Sequence, residues 1–386
     1  MGDQAGVDED RLDPHRRALL VACIGVALYG LLVVAAVASH GGNAEWFMKF
    51  GTTSSVTTYG RQILGDDLVV PYDVSQDGTA FWLSARDPFL TDTGPITTYT
   101  DRPAYRSDRV LYPVLVSPFR LFGEQGLVWG LVLVNLAVVF GGGYLTTRLA
   151  LLIRAPWRAG FAFAANPLVL AAVALDLADA LAVAALVGMV LAARRERWVW
   201  ATVLATAAVL TKESSLLAVV ALAIGLAAAS PRRRIVLAGA PAAILGLWAV
   251  YVRTRVATTN AQVEEVTFMP FGGYSQAWRL GWSVQGTWGD AFVAGLLLVV
   301  AVVIGVRWWR RRTPELWVAL PYAVMTPFLS GQVLHWGMNS VRAIGPALTF
   351  LALDVAAGRA QAGRGRPPRL APGRTAAADA PAAPAT

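Results

Sequence analysis

The chain has 386 residues, of which 56% are hydrophobic and 15% are charged, and its mean hydropathy is +0.51. These values exclude an ordinary soluble globular protein and favour a polytopic membrane protein. A single cysteine, Cys23, excludes an intrachain disulfide and a cysteine-based zinc site. The formal net charge of +8 includes arginine clusters between apolar segments, a pattern that favours membrane topology over nucleic-acid binding.

Apolar segments predict an all-α membrane protein with about ten transmembrane helices. They lie at 18–39, 127–147, 159–175, 180–193, 198–211, 214–229, 235–252, 289–306, 316–332 and 341–357. The first segment is longer than the apolar region of a signal peptide, so we expect a retained helix. Several others are shorter than the usual span of about 20 residues, which indicates bent helices or helices shielded by their neighbours.

The arginine clusters between these segments set the orientation. With both termini in the cytoplasm, every short basic loop lies on the cytoplasmic side. The long first loop, 40–126, and the loop 253–288 then lie on the outer face, and the first loop carries short interfacial helices. Residues 1–357 form one transmembrane domain. The tail, 358–386, is rich in Pro, Ala and Arg and is predicted to be a disordered cytoplasmic segment.

The first outer loop contains the segment VSQDGTAFWLSARDPF (74–89). Asp77 precedes a glycine and an aromatic-rich helical stretch, so its carboxylate lies at a turn or a helix start. Backbone amides hold an aspartate ionised at such a position, and an ionised Asp77 can act as a base. The alternative is that Asp77 only caps the helix.

The same loop continues with TDRPAYRSDRVLYPVLVSPFRLFG (100–123), which carries a row of arginines. A helix that starts at Pro103 would place Arg102, Arg106 and Arg109 on one face. Guanidinium groups in such a row suit bidentate binding of a phosphate. The alternatives are attachment to anionic lipid headgroups and pairing with the neighbouring aspartates. The proline-containing end of the segment is expected in the membrane interface.

Charged residues also interrupt apolar segments at two places. Asp176 and Asp179, in ALDLADAL, mark either a solvated outer turn or a polar spot inside the helix bundle. Lys212 and Glu213, in LTKESS, lie between two apolar runs, and each needs its own partner because adjacent helical residues point in different directions. We expect Glu213 to contact an arginine of the first loop, and Lys212 to contact an anion or an outer aspartate.

Near the end of the chain, His335, Asn339 and Arg342 recur at spacings of four and three. A helix would place them on one face, with Arg342 at the mouth of the last span, where its charge can meet a phosphate. The alternatives are a helix break at Gly337 and an arginine that extends along the membrane surface to reach water.

The order of the polar motifs along the chain resembles that of bacterial polytopic glycosyltransferases of the GT-C superfamily. The motifs are DG with its aromatics and ARDPF, then PAYRSDRVLYP, then DLADAL followed by AARRER, then LTKESSLL, and finally NSVRAIGPAL. These are lipid-linked sugar transferases of the mannosyltransferase and aminoarabinose-transferase kind. The resemblance covers the layout of residues 15–357. It implies an enzyme of the bacterial plasma membrane that uses a polyprenyl-phosphate sugar on the outer face. Asp77 matches the loop carboxylate that lies at or near the catalytic centre of these enzymes. TKE and the terminal arginine match positions at which such proteins bind the donor phosphate or support the site.

This chemistry requires a carboxylate that takes the acceptor's hydroxyl proton and cations that hold the leaving phosphate. We expect Asp77 to be the carboxylate. The expected phosphate-binding residues are the cations Arg106, Arg109, Lys212 and Arg342. The expected supporting residues are other polar side chains of the outer face: Asp176, Asp179, Glu213, His335 and Asn339. No cofactor is assigned: arginine and lysine can replace a metal ion, or Asp77 with another acid could hold a divalent cation such as Mg²⁺ or Mn²⁺.

The expected reaction joins a sugar, with inversion, to an envelope lipid, glycan or protein. The expected partners are the polyprenyl-phosphate sugar and membrane lipids, without nucleic acid, and the oligomeric state stays open. A transporter or flippase of a lipid-linked or anionic substrate is the alternative, since ten spans with buried charges fit it equally well. A transferase is expected to have one outer pocket that joins Asp77 to Lys212 and opens sideways to lipid.

Overall fold

The computed structural model describes residues 13–257, 265–279 and 288–364, and this part of the chain is helical without β-strands. The first half contains α1 (Pro14–Ser39), α2 (Ser55–Leu64), α3 (Asp77–Arg86), α4 (Gly94–Tyr99), α5 (Pro103–Ser107), α6 (Leu111–Val116), α7 (Gly123–Leu152), α8 (Phe161–Ala164) and α9 (Pro167–Ala174). The second half contains α10 (Asp179–Arg194), α11 (Trp198–Thr211), α12 (Ser215–Gly225), α13 (Pro231–Arg255), α14 (Gly272–Ala277), α15 (Trp288–Arg311), α16 (Pro314–Met325), α17 (Gly331–Leu334) and α18 (Gly337–Arg364).

Five helices of the described chain are long and apolar enough to cross a membrane. They are Pro14–Ser39, Leu111–Leu152, Pro231–Arg255, Gly289–Arg311 and Gly337–Ala362. A sixth span results if Trp157–Ala164 and Pro167–Ala174, which meet at an angle of 43°, are counted together. The protein therefore has the helices of a membrane protein, but the predicted ten spans are not confirmed. The reason is length: α12 has 11 residues, about 17 Å at 1.5 Å per residue, against a hydrocarbon core of about 30 Å.

Helix α10 forms the centre of the bundle. It is apolar on all sides and almost completely buried, and it packs against α7 and α11. Helices α1, α13 and α15 lie at the periphery and expose apolar side chains such as Leu31, Leu247 and Val302, as helices in lipid do. The two ends of α10, Asp179 and Arg194, are about 24 Å apart for a helix of 16 residues.

Several predicted boundaries need correction. The last helix continues to Arg364, seven residues past the predicted end of the transmembrane domain at 357, and residues 365–386 lie outside the described residues. The loop predicted at 253–288 starts as helix, since α13 extends to Arg255. Its residues 258–264 and 280–287 are also outside the described chain. By contrast, the segment after Val110 forms a separate short helix, α6, ahead of α7. The chain turns at Gly123, with φ 79° and ψ −170°, and the Tyr112 hydroxyl donates to the Leu131 oxygen at 3.0 Å, so α6 packs beside α7.

The orientation leads to a labelling prediction. In a Cys23→Ala background, a cysteine replacing the exposed Thr98 of the first loop should react with a membrane-impermeant thiol reagent in intact cells. A cysteine replacing Glu196, which is exposed and flanked by three arginines, should react only after the membrane is opened, because basic loops stay in the cytoplasm. Labelling at position 196 in intact cells would contradict this topology.

Candidate functional site

Helix α3 begins at Asp77, and the Asp77 carboxylate faces two arginines. Its Oδ1 accepts a hydrogen bond from Arg106 Nη1, and its Oδ2 accepts one from Arg342 Nη2 at 2.6 Å. The N-cap of α3 is Gln76, and no side chain caps this helix. The capping alternative for Asp77 is therefore wrong, and the carboxylate instead joins the first loop to the last helix.

Arg342 lies in the second turn of α18 and points into the protein, with its side chain 15% exposed. Besides Asp77, it contacts the Asp179 carboxylate, with Nη2 3.1 Å and Nε 3.2 Å from Oδ2. One guanidinium group thus bridges two carboxylates that are about a hundred residues apart in sequence. The alternative of an arginine extended along the membrane surface is wrong.

Lys212 occupies the break between α11 and α12. Its backbone is extended, with φ −153° and ψ 114°, so the helix ends just before it. The Lys212 Nζ donates to Asp179 Oδ1 at 2.5 Å and to the Arg342 carbonyl oxygen at 3.2 Å. Of the two predicted partners of Lys212, an anion or an aspartate, the structure shows the aspartate, Asp179. Since Asp179 is 3% exposed and Asp176 is fully buried, the two aspartates form a polar spot inside the bundle and not a solvated turn.

Glu213 faces away from Lys212 and contacts the first loop. Its carboxylate accepts two hydrogen bonds from Arg109, at 3.1 Å from Nε and 3.0 Å from Nη2. This geometry is the bidentate pairing that favours arginine over lysine. Arg109 also contacts the Tyr105 hydroxyl, which donates to Glu265 Oε1 at 2.5 Å. The predicted contact between Glu213 and an arginine of the first loop is confirmed.

These residues form one network, which we call the charge cluster: Asp77, Arg106, Arg109, Asp179, Lys212, Glu213 and Arg342. Asp101 adds a fourth carboxylate, because it binds Arg106 Nε at 3.1 Å. Four cations therefore face four carboxylates, and all four expected phosphate-binding residues lie in the network. The cations are not free, however; each already has a carboxylate partner.

The environment of Asp77 sets its protonation. Burial alone would raise the pKa of its carboxyl group, but the guanidinium groups of Arg342 and Arg106 outweigh burial and hold this pKa well below its usual value. Asp77 is therefore ionised at neutral pH and, while both arginines hold it, is a weak base. Its pairing stabilises the fold above the ordinary aspartate pKa, and this stabilisation is lost as the pH falls through the depressed value.

Two predicted alignments are wrong. Helix α5 ends at Ser107, so Arg109 lies beyond it and does not share a helix face with Arg106. His335 follows the end of α17 and precedes the start of α18, so the chain breaks between it and Asn339. Asn339 does contact the cluster, since its Oδ1 is 3.4 Å from Arg342 Nη1. His335 has a buried ring nitrogen, Nδ1, without a hydrogen-bond partner among the described residues.

Open space beside the charge cluster is small. A cavity of about 10 Å³ is lined in part by Arg106, Arg109 and Asp87, and neither Asp77 nor Lys212 lines it. Such a volume holds about one water molecule, so this cavity is not the expected pocket between Asp77 and Lys212. A larger cavity of about 110 Å³ lies at the opposite end of α10. Its Arg194 and Glu315 pair with each other at 2.6 Å, which is a structural role.

The metal alternative does not fit the described residues. Asp77 is held by arginines, and no group of three or more His, Cys, Asp or Glu side chains within this part of the chain could hold a metal ion. Cations of the protein therefore occupy the positions that a divalent ion would take beside Asp77.

The sequence interpretation missed a second buried polar group, formed by Lys49, Asn135 and Tyr112 around Asp176. Asn135 donates to the Tyr112 hydroxyl at 2.8 Å, and Lys49 is 1% exposed. One signal was available in the sequence, because Lys49 and Lys212 are the only two lysines of the chain. The other members have no distinguishing pattern within their apolar segments.

Comparison with known proteins gives no family assignment. No protein-family model matches this chain, and no curated protein or solved structure matches it either. The case for a function therefore depends on the geometry of the charge cluster.

The Arg109–Glu213 pair leads to a stability prediction. Arg109→Gln should lower the free energy of unfolding by about 1–3 kcal/mol, because it leaves the Glu213 carboxylate without its main partner. Arg253→Gln is the matched control: Arg253 also forms two bonds to a carboxylate, Asp108, but its side chain is 48% exposed. We expect the control to change stability by less than about 1 kcal/mol in detergent-based unfolding. Equal effects would contradict the assignment of Arg109 to a buried network.

Proposed function

We propose that this protein is a membrane glycosyltransferase that transfers a sugar, with inversion, from a polyprenyl-phosphate donor to an envelope lipid, glycan or protein. The observation that carries the proposal is the charge cluster itself. It gathers Asp77, Arg106, Lys212 and Arg342 from the first loop, the middle and the end of the chain. A carboxylate with several cations is the set of groups that sugar transfer from a phosphate requires.

The cations are suited to the leaving phosphate. Arginine binds phosphate oxygens in a planar, bidentate manner, and lysine adds a point charge. Arg106 and Arg342 each contact two carboxylates. A donor phosphate can therefore replace Asp77 on both arginines, while Arg106 keeps Asp101 and Arg342 keeps Asp179. The site opens when the phosphate takes the place of the Asp77 carboxylate on both arginines.

This exchange also turns Asp77 into a better base. When the phosphate takes the two guanidinium groups, their influence on Asp77 weakens and the pKa of Asp77 rises towards the usual value. Asp77 then accepts the proton of the acceptor hydroxyl. The acceptor oxygen forms the new bond to the sugar, the bond from the sugar to the phosphate oxygen breaks, and the phosphate leaves with its electron pair onto Arg106, Arg342 and Lys212.

Membrane placement supports the same proposal. We place the protein in the bacterial plasma membrane with both termini in the cytoplasm and the charge cluster at the outer face, because the short basic loops then all lie inside. The short helices α10, α11, α12 and α16 complete about ten crossings in a GT-C-like arrangement, shielded by longer neighbours.

A transporter or flippase of an anionic or lipid-linked substrate is the second candidate. The observation that favours it is the break at Lys212 between two short helices, since discontinuous helices that present charges are typical substrate sites of transporters. The two candidates differ in product. Purified protein in lipid vesicles with radiolabelled polyprenyl-phosphate sugars should yield labelled acceptor if it is a transferase; movement of unchanged donor across the bilayer would instead indicate a flippase.

Asp77→Asn should abolish transfer while the protein still binds donor, because the amide keeps the shape of the side chain but cannot take a proton. The measurement is turnover in vesicles together with donor binding. Asp73→Asn is the control, since Asp73 is an exposed aspartate of the same loop, and it should leave turnover unchanged. Near-normal turnover of Asp77→Asn would show that the base lies elsewhere.

Lys212→Gln should weaken donor binding by about 10- to 100-fold, which corresponds to the loss of one charged hydrogen bond of about 1.5–3 kcal/mol. Donor affinity is measured by titration of the detergent-solubilised protein with a polyprenyl-phosphate sugar. An unchanged affinity in a folded Lys212→Gln variant would remove Lys212 from the phosphate site.

A further inference from the structure

Behind helix α3, the protein buries a second set of polar side chains: Lys49, Asn135 and Asp176. Their exposed fractions are 1%, 0% and 0%. Lys49 and Asp176 also have backbone φ angles of 58° and 49°, in the left-handed region that residues other than glycine rarely adopt. Strained backbone at two buried, ionisable residues is a feature that clusters at functional sites.

The set adjoins the turn that carries Asp77. The Lys49 carbonyl oxygen accepts a hydrogen bond from the Gln76 amide at 3.0 Å. Gly78 packs between the neighbours of the two strained residues, because a Cβ at Gly78 would lie 2.7 Å from the Leu175 oxygen and 2.9 Å from Met48 Cα. Lys49 and Asp176 therefore lie on the two sides of the start of α3.

An ionised Asp176 would have no hydrogen-bond partner in the described chain for either of its carboxylate oxygens. Both carboxylate oxygens of Asp176, the Lys49 Nζ and the Asn135 Oδ1 lack hydrogen-bond partners. The Asn135 Nδ2 is already used, since it donates to the Tyr112 hydroxyl at 2.8 Å and to the Ala172 oxygen at 3.2 Å. An ionised Asp176 is thus a fully buried charge without a hydrogen-bond or ion-pair partner among the described residues, a cost that a protonated Asp176 avoids.

Burial opposes the charge on Lys49, while two aromatic rings and Asp176 favour it. Lys49 lies over the ring of Trp46 and near the ring of Tyr72, and its ammonium group attracts Asp176 without forming an ion pair within 4.0 Å. Asp176 faces Asn135, Tyr112 and Lys49. Burial lowers the pKa of Lys49 to about 7 in spite of the attraction of Asp176. Moving one proton from Lys49 to Asp176 removes two buried charges at once.

We propose that Lys49 and Asp176 form a buried proton-binding site, in which Asp176 is a neutral carboxylic acid. Lys49 is then a neutral amine. The bonding of Asp179, only three residues later, is the opposite: Lys212 and Arg342 hold it as an ionised carboxylate. The proton-binding site does not depend on the transferase proposal, since a transporter with this structure would contain it too.

Infrared spectroscopy tests this site directly, because a protonated carboxyl group has a carbonyl stretch separate from that of a carboxylate. The full chain, labelled with ¹³C at the aspartate side-chain carboxyl and purified in detergent at neutral pH, should show this band with an isotope shift. Asp176→Asn should remove the band, and the control variant Asp179→Asn should leave it in place. Absence of a shifted carboxylic acid band in the wild-type chain would overturn the proposal.

Thermal unfolding of the same variants provides a second readout. Asparagine has the shape and charge of a neutral aspartic acid, so Asp176→Asn should keep a melting temperature close to that of the wild-type chain. Asp179→Asn should melt at a clearly lower temperature, because Lys212 and Arg342 lose an ionised partner. If Asp176→Asn fails to fold or melts as low as Asp179→Asn, Asp176 is a charged partner of Lys49 and the proton-binding site is wrong.

Discussion

The guanidinium group of Arg342 is the interaction on which the site depends. It contacts Asp77 of the first loop and Asp179 at the start of α10, and Lys212 binds both Asp179 and the Arg342 backbone. Without it, the charge cluster would join the first loop to the bundle only through the Arg109–Glu213 pair. A buried ion pair is not favourable by itself, since desolvation offsets much of the attraction. In the proposed function, a donor phosphate replaces one of the two carboxylates on this shared arginine.

Ion pairs lie at both ends of the central helix α10, but their partners come from different kinds of element. At the Arg194 end of α10, Arg194 binds Glu315 and Arg307 binds Asp354 at 2.6 Å, and these pairs hold α10, α15, α16 and α18 together. At the Asp179 end, partners come from a loop and from helix ends, where the backbone can move. The first arrangement closes the bundle, and the proposed donor binding requires the second to open.

Much of the site could be predicted from the sequence because a charge in an apolar segment needs a partner. That constraint predicted contacts for Lys212 and Glu213, and the helix break at Lys212 follows from the same residues. Other features of the site depend on tertiary packing, which cannot be predicted from a local sequence pattern. The end of α5 at Ser107 sends Arg109 to a different carboxylate from Arg106, and the number of spans is ambiguous for helices as short as α12. Lys49 and Asp176 meet only through the fold.

The most direct test of the account is electron cryomicroscopy of the full chain in lipid nanodiscs with a bound polyprenyl phosphate. The account predicts phosphate density within hydrogen-bonding distance, about 3 Å, of the guanidinium groups of Arg106 and Arg342, with the Asp77 carboxylate moved away from both. Phosphate bound elsewhere, while Asp77 stays paired with the two arginines, would contradict the central claim that the charge cluster is a phosphate site.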